Sequence, residues 1–355
     1  MTLAVRISSL FLFLTFTCAT FSSARVATLA VQTLVSQPQD QNDLNDERST
    51  AKSEEFIRTR PKGSKASQAG GRYRVTSSKA PNHGRPGVGK HYQTNFTIGV
   101  TIGRARGATD AELNDSNIAK IHSKAGADFV LERISGDATV TDGTLTQMMI
   151  EYLADGETTP TSQNNRVGYL YVINRVQYAD GTYSEPRLIF PTRRTYGGDN
   201  RVLPGKVVIL PDPQRLWEIS RNASREQAFE TYLIIVSSET LRDSKGVALH
   251  ADNLPERPIT LDQRMVASWV KRWGGGALRA ELDSASSKYL TQREQAASGN
   301  MLANERDTRE QASDLTQADL PPQTVFRKSV GSTGKMLVTI KLPFKDSATT
   351  ARSQH

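Results

Sequence analysis

The stretch GYLYVINRVQYADGTYSEPRLIFPTRRTYGGDNRVLPGKVVILP, residues 168–211, decides the fold class. It opens on a strand pattern in which Tyr169, Tyr171 and Ile173 share one face while Leu170 and Val172 share the other. Apolar residues on both faces predict a strand covered on both sides. Asp180-Gly181 follows as a hairpin-turn signal, then the apolar run LIF (188–190), a polar loop, and the run KVVIL (206–210).

The same grammar extends in both directions. FTIGVTI (96–102) alternates, with Phe96, Ile98, Val100 and Ile102 on one face. FVLERI (129–134), QMMIEYL (147–153), TYLIIVS (231–237), VFRKSV (325–330) and KMLVTIKL (335–342) are further strand candidates. Many short strands punctuated by turn residues predict a mainly β, sandwich-like fold. One segment changes period. In residues 260–273, Leu261, Met265, Val266, Trp269, Val270 and Trp273 fall on one helical face. Thr260 with Gln263 has the form of a capping box, and Gly274 suits the end of the helix. This predicts a C-terminal amphipathic helix, with a shorter one over 288–297, as a helical insertion near 260–297. Trp269 and Trp273, four residues apart on the apolar face, read as core rather than as a binding platform.

Charge divides the chain. The formal net charge is +8, yet residues 57–92 hold nine Lys and Arg and no acid. Residues 31–56 are acidic, and the part beyond residue 92 is close to neutral. Residues 25–94 are polar and poor in aromatics, so they read as a disordered linker, acidic then basic. Residues 346–355 read as a frayed tail. The N-terminus has the form of a secretory signal over 1–24: Arg6, the apolar core LFLFLTF (10–16), and small residues Ser22, Ser23 and Ala24 before Arg25. No later segment reaches the length of a spanning helix, so the mature chain is expected to lack one. The single cysteine, Cys18, lies inside that leader, so the mature chain is expected to carry no disulfide and no cysteine chemistry.

Chemical motifs are sparse. Gly84 to Lys90 has the GxxxxGK spacing of a phosphate-binding loop, but His91 stands where Ser or Thr is required and no strand precedes it. Of five histidines, none pairs at a metal-binding spacing, so neither a metal nor a cofactor is expected. No GxSxG elbow is present. The DG pairs at 142–143, 155–156 and 180–181 read as turns. The loop PTRRTYGGDNR (191–201) is the candidate binding site, because it concentrates Arg193, Arg194, Tyr196, Asp199, Asn200 and Arg201 between two apolar strands. Two arginines beside a tyrosine suit an anionic or sugar-like ligand, while Gly197-Gly198 with Asp199 and Asn200 suit a plain turn.

The order GYLYVIN (168–174), YADGT (178–182), LIFPT (188–192), GGDNRVLPGK (197–206), ASWVKRWGG (267–275), DLTQADLPPQTVFR (314–327) and LVTIKLPF (337–344) resembles bacterial exported proteins carrying the domain of unknown function 4384. GGRYR (70–74) resembles their leader, so the match runs over about 70–345; segment 298–312 departs from it. The resemblance implies an exported, envelope-associated β-rich domain over 95–345, periplasmic or extracellular, with no assigned activity. The expectation is a non-catalytic binding or scaffolding protein of the bacterial envelope. A hydrolase acting on envelope polysaccharide or peptide through dispersed carboxylates (Glu151, Asp155, Asp199) is the alternative. A third reading makes the basic tail the contact to an envelope protein, anionic polymer or lipid headgroup. The calculated pI of about 9.5 arises in that tail, and export makes nucleic acid a poor partner.

Overall fold

The computed structural model describes residues 95–122, 126–155, 168–202, 207–222, 224–250, 253–282, 288–297, 319–329 and 334–345, together with Phe56, Arg58, Arg60 and Leu315. The expected leader, most of the expected linker, segment 298–314 and the tail from 346 lie outside the described residues.

Alternation of apolar side chains makes the strands and also assigns their faces. The first sheet is organised by two long strands, β1 (Asn95–Gly107) and β4 (Thr144–Asp155), paired antiparallel from Asn95↔Asp155 to Arg104↔Thr146. The other edge of β1 carries two partners end to end. β13 (Thr324–Ser329) pairs with its first half, and β3 (Asp128–Ile134) with its second. β2 (Lys120–His122) extends β3, and β12 (Leu278–Glu281) extends β13. On the far side of β4 lie β8 (Val207–Leu210) and β9 (Trp217–Ile219).

The second sheet centres on β5 (Gly168–Tyr178) and β10 (Gln227–Ser237). β14 (Lys335–Pro343) flanks β10. β6 (Arg187–Phe190) and the short β7 (Arg201–Val202) share the other edge of β5, and β11 (Ile259–Thr260) flanks β6. Among the described residues all named pairings in both sheets are antiparallel.

The inner faces meet as a sandwich. Phe96, Ile98, Val100 and Ile102 of β1 and Met148, Ile150 and Tyr152 of β4 join one cluster with Leu170 and Val172 of β5, Tyr232, Ile234 and Val236 of β10, and Met336, Val338 and Ile340 of β14. The alternation read in 96–102 is therefore the inward face of β1. Each such side chain contributes roughly 1.5–3 kcal/mol when fully buried.

Both sheets also bury part of their outer faces. On the second sheet, Tyr171, Ile173, Leu233, Ile235 and Leu337 are covered by a helix over Gln263–Trp273, which presents Val266, Trp269 and Trp273 to them. Asp262, rather than Thr260, caps it: its carboxylate accepts from Met265 N at 2.8 Å, while Thr260 belongs to β11. Three strands, β12, β13 and β14, follow this helix in the chain. The two Trp rings stack at 5.5 Å and are 7 % and 8 % exposed, so they pack as core. A six-residue helix, Gln292–Ala297, lies on the outer face of the first sheet, where Ala297 and Leu290 pack on Leu131, Met149 and Ile209. A short helix, Asp110–Asn114, follows β1 and begins with a Thr109/Glu112 capping box.

Candidate functional site

The loop 191–201 begins where β6 ends, at a cis Phe190–Pro191 bond. Tyr196 takes φ 52°, and Gly197 and Gly198 follow at 61° and 86°. A tyrosine in the left-handed region is strained, and here its side chain holds it in place. Its hydroxyl donates to Ile209 O at 2.7 Å and accepts from Ile209 N at 3.2 Å. Its ring meets Phe190 edge-on. Asn200 is also turned inward, with Nδ2 donating to Leu170 O at 3.0 Å. Asp199 is held by the residue two positions on: Arg201 N and Nε donate to Oδ1 at 3.0 Å each, and Arg201 Nη2 to Oδ2 at 2.6 Å. Burial pushes the Asp199 carboxyl up, but the Arg201 hydrogen bonds outweigh it, so its pKa lies below the ordinary value. Arg193 and Arg194 are exposed. Arg194 faces Glu256 at 3.5 Å, and the Arg193 backbone N–H donates to Pro255 O.

The six candidate residues thus separate by role. Tyr196 and Asn200 lock the loop to β8 and β5. Asp199 and Arg201 bind each other. The arginines at 193 and 194 form its outward chemistry.

A second, more enclosed constellation lies on the outer face of the first sheet. Glu151 of β4 and Arg133 of β3 stand where the strand pattern would place apolar side chains, and they are 3 % and 7 % exposed. Glu151 receives both prongs of Arg60, Nε to Oε1 at 2.8 Å and Nη2 to Oε2 at 2.7 Å. Arg60 also donates from Nη1 to Asp319 O at 2.9 Å. Arg133 donates to Glu294 Oε1 at 2.8 Å and to Pro321 O at 2.5 Å. Glu294 in turn accepts from the N–H and hydroxyl of Thr291, the capping box of its own short helix. Burial raises the Glu151 pKa, with Arg60 opposing the shift. Burial lowers that of Arg133, partly offset by Glu294, and the nearby Arg60 charge lowers it further.

Close approach makes this enclosure possible. A Cβ on Gly99 of β1 would stand 2.4 Å from Pro322 Cγ and 3.0 Å from the Phe56 ring. The missing side chain admits the covering segments. A small cleft remains, lined by Arg60, Thr101, Glu151, Glu294, Leu315 and Pro322.

The engagement of Phe56 and Arg60 was missed in the sequence, where they fall in the expected linker. One signal was present. Phe56-Ile57 is an apolar pair inside an otherwise charged run, with Arg60 one helical turn after Phe56. Glu151 inside QMMIEYL and Arg133 inside FVLERI were likewise visible as charges in apolar runs.

A third buried acid, Glu230 of β10, belongs to neither cluster. It accepts from Asn174 Nδ2 and from Gln227 Nε2, the latter at 2.9 Å. Burial pushes its pKa up to about 7. Among the described residues no group of three or more His, Cys, Asp and Glu side chains comes together as metal ligands. No described helix is long and apolar enough to cross a membrane. Comparisons with protein-family models, with curated proteins and with solved structures find no match.

Proposed function

We infer that this chain is a non-catalytic binding or scaffolding protein, exported to the bacterial envelope or beyond it, whose outward contacts are electrostatic. The observation that carries the reading is how its buried acids are used. Glu151 spends both oxygens on Arg60, Glu294 is held by Arg133 and Thr291, and Glu230 by two side-chain amides. A general acid or base must reach a substrate proton, and these carboxyl groups are instead fixed to their own fold. Asp199, bound through both oxygens to Arg201, is spent in the same way. This argues against Glu151 and Asp199 as the acids of the alternative hydrolase, whose third suspect carboxylate is Asp155. The apolar core over residues 10–16 of the expected leader 1–24 supports export. The eight basic residues of 57–92 other than the buried Arg60, and the exposed Arg193 and Arg194, support an anionic surface, polymer or lipid headgroup as the partner.

The test is binding of the chain from residue 25 onward to isolated envelope fractions at low and high salt. One variant carries the basic residues of 62–90 as Gln, and another carries Arg193→Ala with Arg194→Ala. Salt-sensitive binding lost in either variant supports the reading. Binding by neither the parent nor the variants at low salt overturns it.

A further inference from the structure

Phe56 and Arg60 are joined to β1 through 34 intervening residues, yet both are buried at 3 % exposure in the domain. Phe56 and Arg58 lie in helical backbone. Phe56 and Arg60 both turn into the domain, and Arg58 between them is exposed. The surface they meet has two ends. The apolar end, made by Leu153, Leu282 and Val325 with Ala280 beside them, takes the Phe56 ring. The acidic end, made by Glu151 with the Asp319 carbonyl, takes the Arg60 guanidinium at three points. Gly99 provides the floor between them. A short segment laid into a groove through an aromatic anchor and a bidentate arginine is a peptide-recognition geometry.

We propose that this groove is a peptide-binding site for segments of the form Phe-x-x-x-Arg, and that residues 56–60 are its resident ligand, held in place by tethering. Two features favour a ligand over an ordinary piece of core. The segment contributes two anchors to a surface otherwise built by β1, β4, β12 with Leu282 after it, β13, and Asp319 and Pro322 ahead of β13. Its strongest contact is a planar fork on a carboxylate, which specifies Arg over Lys. A tether raises the local concentration of the resident segment to the order of millimolar, so an outside peptide competes poorly until the anchors are removed. The inference does not depend on export or on the loop at 191–201.

The experiment uses a fluorescent peptide of residues 51–62, AKSEEFIRTRPK, titrated by anisotropy into the full chain and into the full chain with Phe56→Ala and Arg60→Ala. The expected result is binding at least tenfold tighter to the double variant, weakened at least tenfold when the peptide carries Arg60→Lys. Adding Glu151→Gln to the double variant should abolish it. A folded double variant that ignores the peptide, or binds it equally with Glu151→Gln, overturns the proposal. Should the double variant not fold, the unaltered chain is given a protease site within 61–94 and cut. An N-terminal fragment that stays bound and exchanges with labelled peptide supports the proposal. A fragment that leaves only when the domain unfolds overturns it.

Discussion

Arg60 and Glu151 are 91 residues apart in the chain, and the guanidinium of one meets the carboxylate of the other through two parallel hydrogen bonds of 2.8 and 2.7 Å, both side chains almost fully enclosed. Such a pair adds little net stability over apolar residues of the same size, but removing one partner is expensive, about 3–5 kcal/mol if the other charge stays buried. Glu151→Gln removes the charge while keeping the volume. The lower-energy response is for Arg60 to leave with its segment, because that segment is attached to the sheet from outside. Hydrogen exchange should therefore speed up in a peptide containing residues 56–60 while the β5 and β10 amides keep their protection. Equal loss of protection everywhere would show that the segment is an inseparable part of the core.

Gly99→Ala tests the same enclosure without touching a charge. The added methyl would press on the Pro322 ring and on Phe56. Overpacking of this kind typically costs 1–3 kcal/mol, that is, about 1–3 kcal/mol here. The expected outcome is the same local release of residues 56–60, with a lower urea midpoint and an unchanged spectrum of the sheets. A midpoint equal to the parent's would mean that Pro322 and Phe56 give way freely.

These two predictions touch residues whose pairing the sequence could not show. Periodicity assigns a face to Phe96, Ile98 and Val100, because side chains alternate across a strand. It does not assign a partner. β1 pairs with β13 from Asn95↔Ser329 onward, more than 200 residues away, and nothing local to either strand encodes that register. The helix Gln263–Trp273 shows in the sequence as apolar residues recurring at helical spacing, but its cap is Asp262, Leu261 lies ahead of it, and the three strands that follow mean it is not the C-terminal element. The loop 191–201 was legible as a polar connection between apolar strands, but composition cannot tell an inward tyrosine from an outward one. Tyr196 turns inward because Ile209 offers both a carbonyl and an N–H to its hydroxyl.

That division of labour within the loop has separable consequences. Tyr196→Phe keeps the ring against Phe190 but strands the buried Ile209 backbone groups, at a cost of about 1–3 kcal/mol. Arg193→Ala with Arg194→Ala removes two exposed side chains and should shift stability by less than about 0.5 kcal/mol. Paired urea melts and envelope-binding assays read the two effects apart. Stability should fall in the first variant and binding in the second. A destabilised arginine variant would show that these side chains support the loop rather than act from it.

Glu230 gives the chain a pH dependence that can be assigned to one residue. Its folded pKa, pushed up by burial to about 7, lies above the ordinary glutamate value of 4.5. The folded state therefore holds a proton that the unfolded chain releases between those values. An acid raised in this way costs nothing well below pH 4.5. Its penalty grows as pH rises and is complete above pH 7, reaching about 3 kcal/mol. Glu230→Gln removes the charge, and the neighbours can accommodate the amide. Gln227 Oε1 has no hydrogen-bond partner, so turning that amide over presents an acceptor to the new N–H. The variant should exceed the parent by about 3 kcal/mol at pH 8 and by under about 1 kcal/mol at pH 5, measured as urea unfolding free energies at each pH. A gain that is equal at both values, or larger at pH 5, would place the proton elsewhere. A loss at both would mean that the Asn174 and Gln227 hydrogen bonds to an ionised carboxylate outweigh its burial.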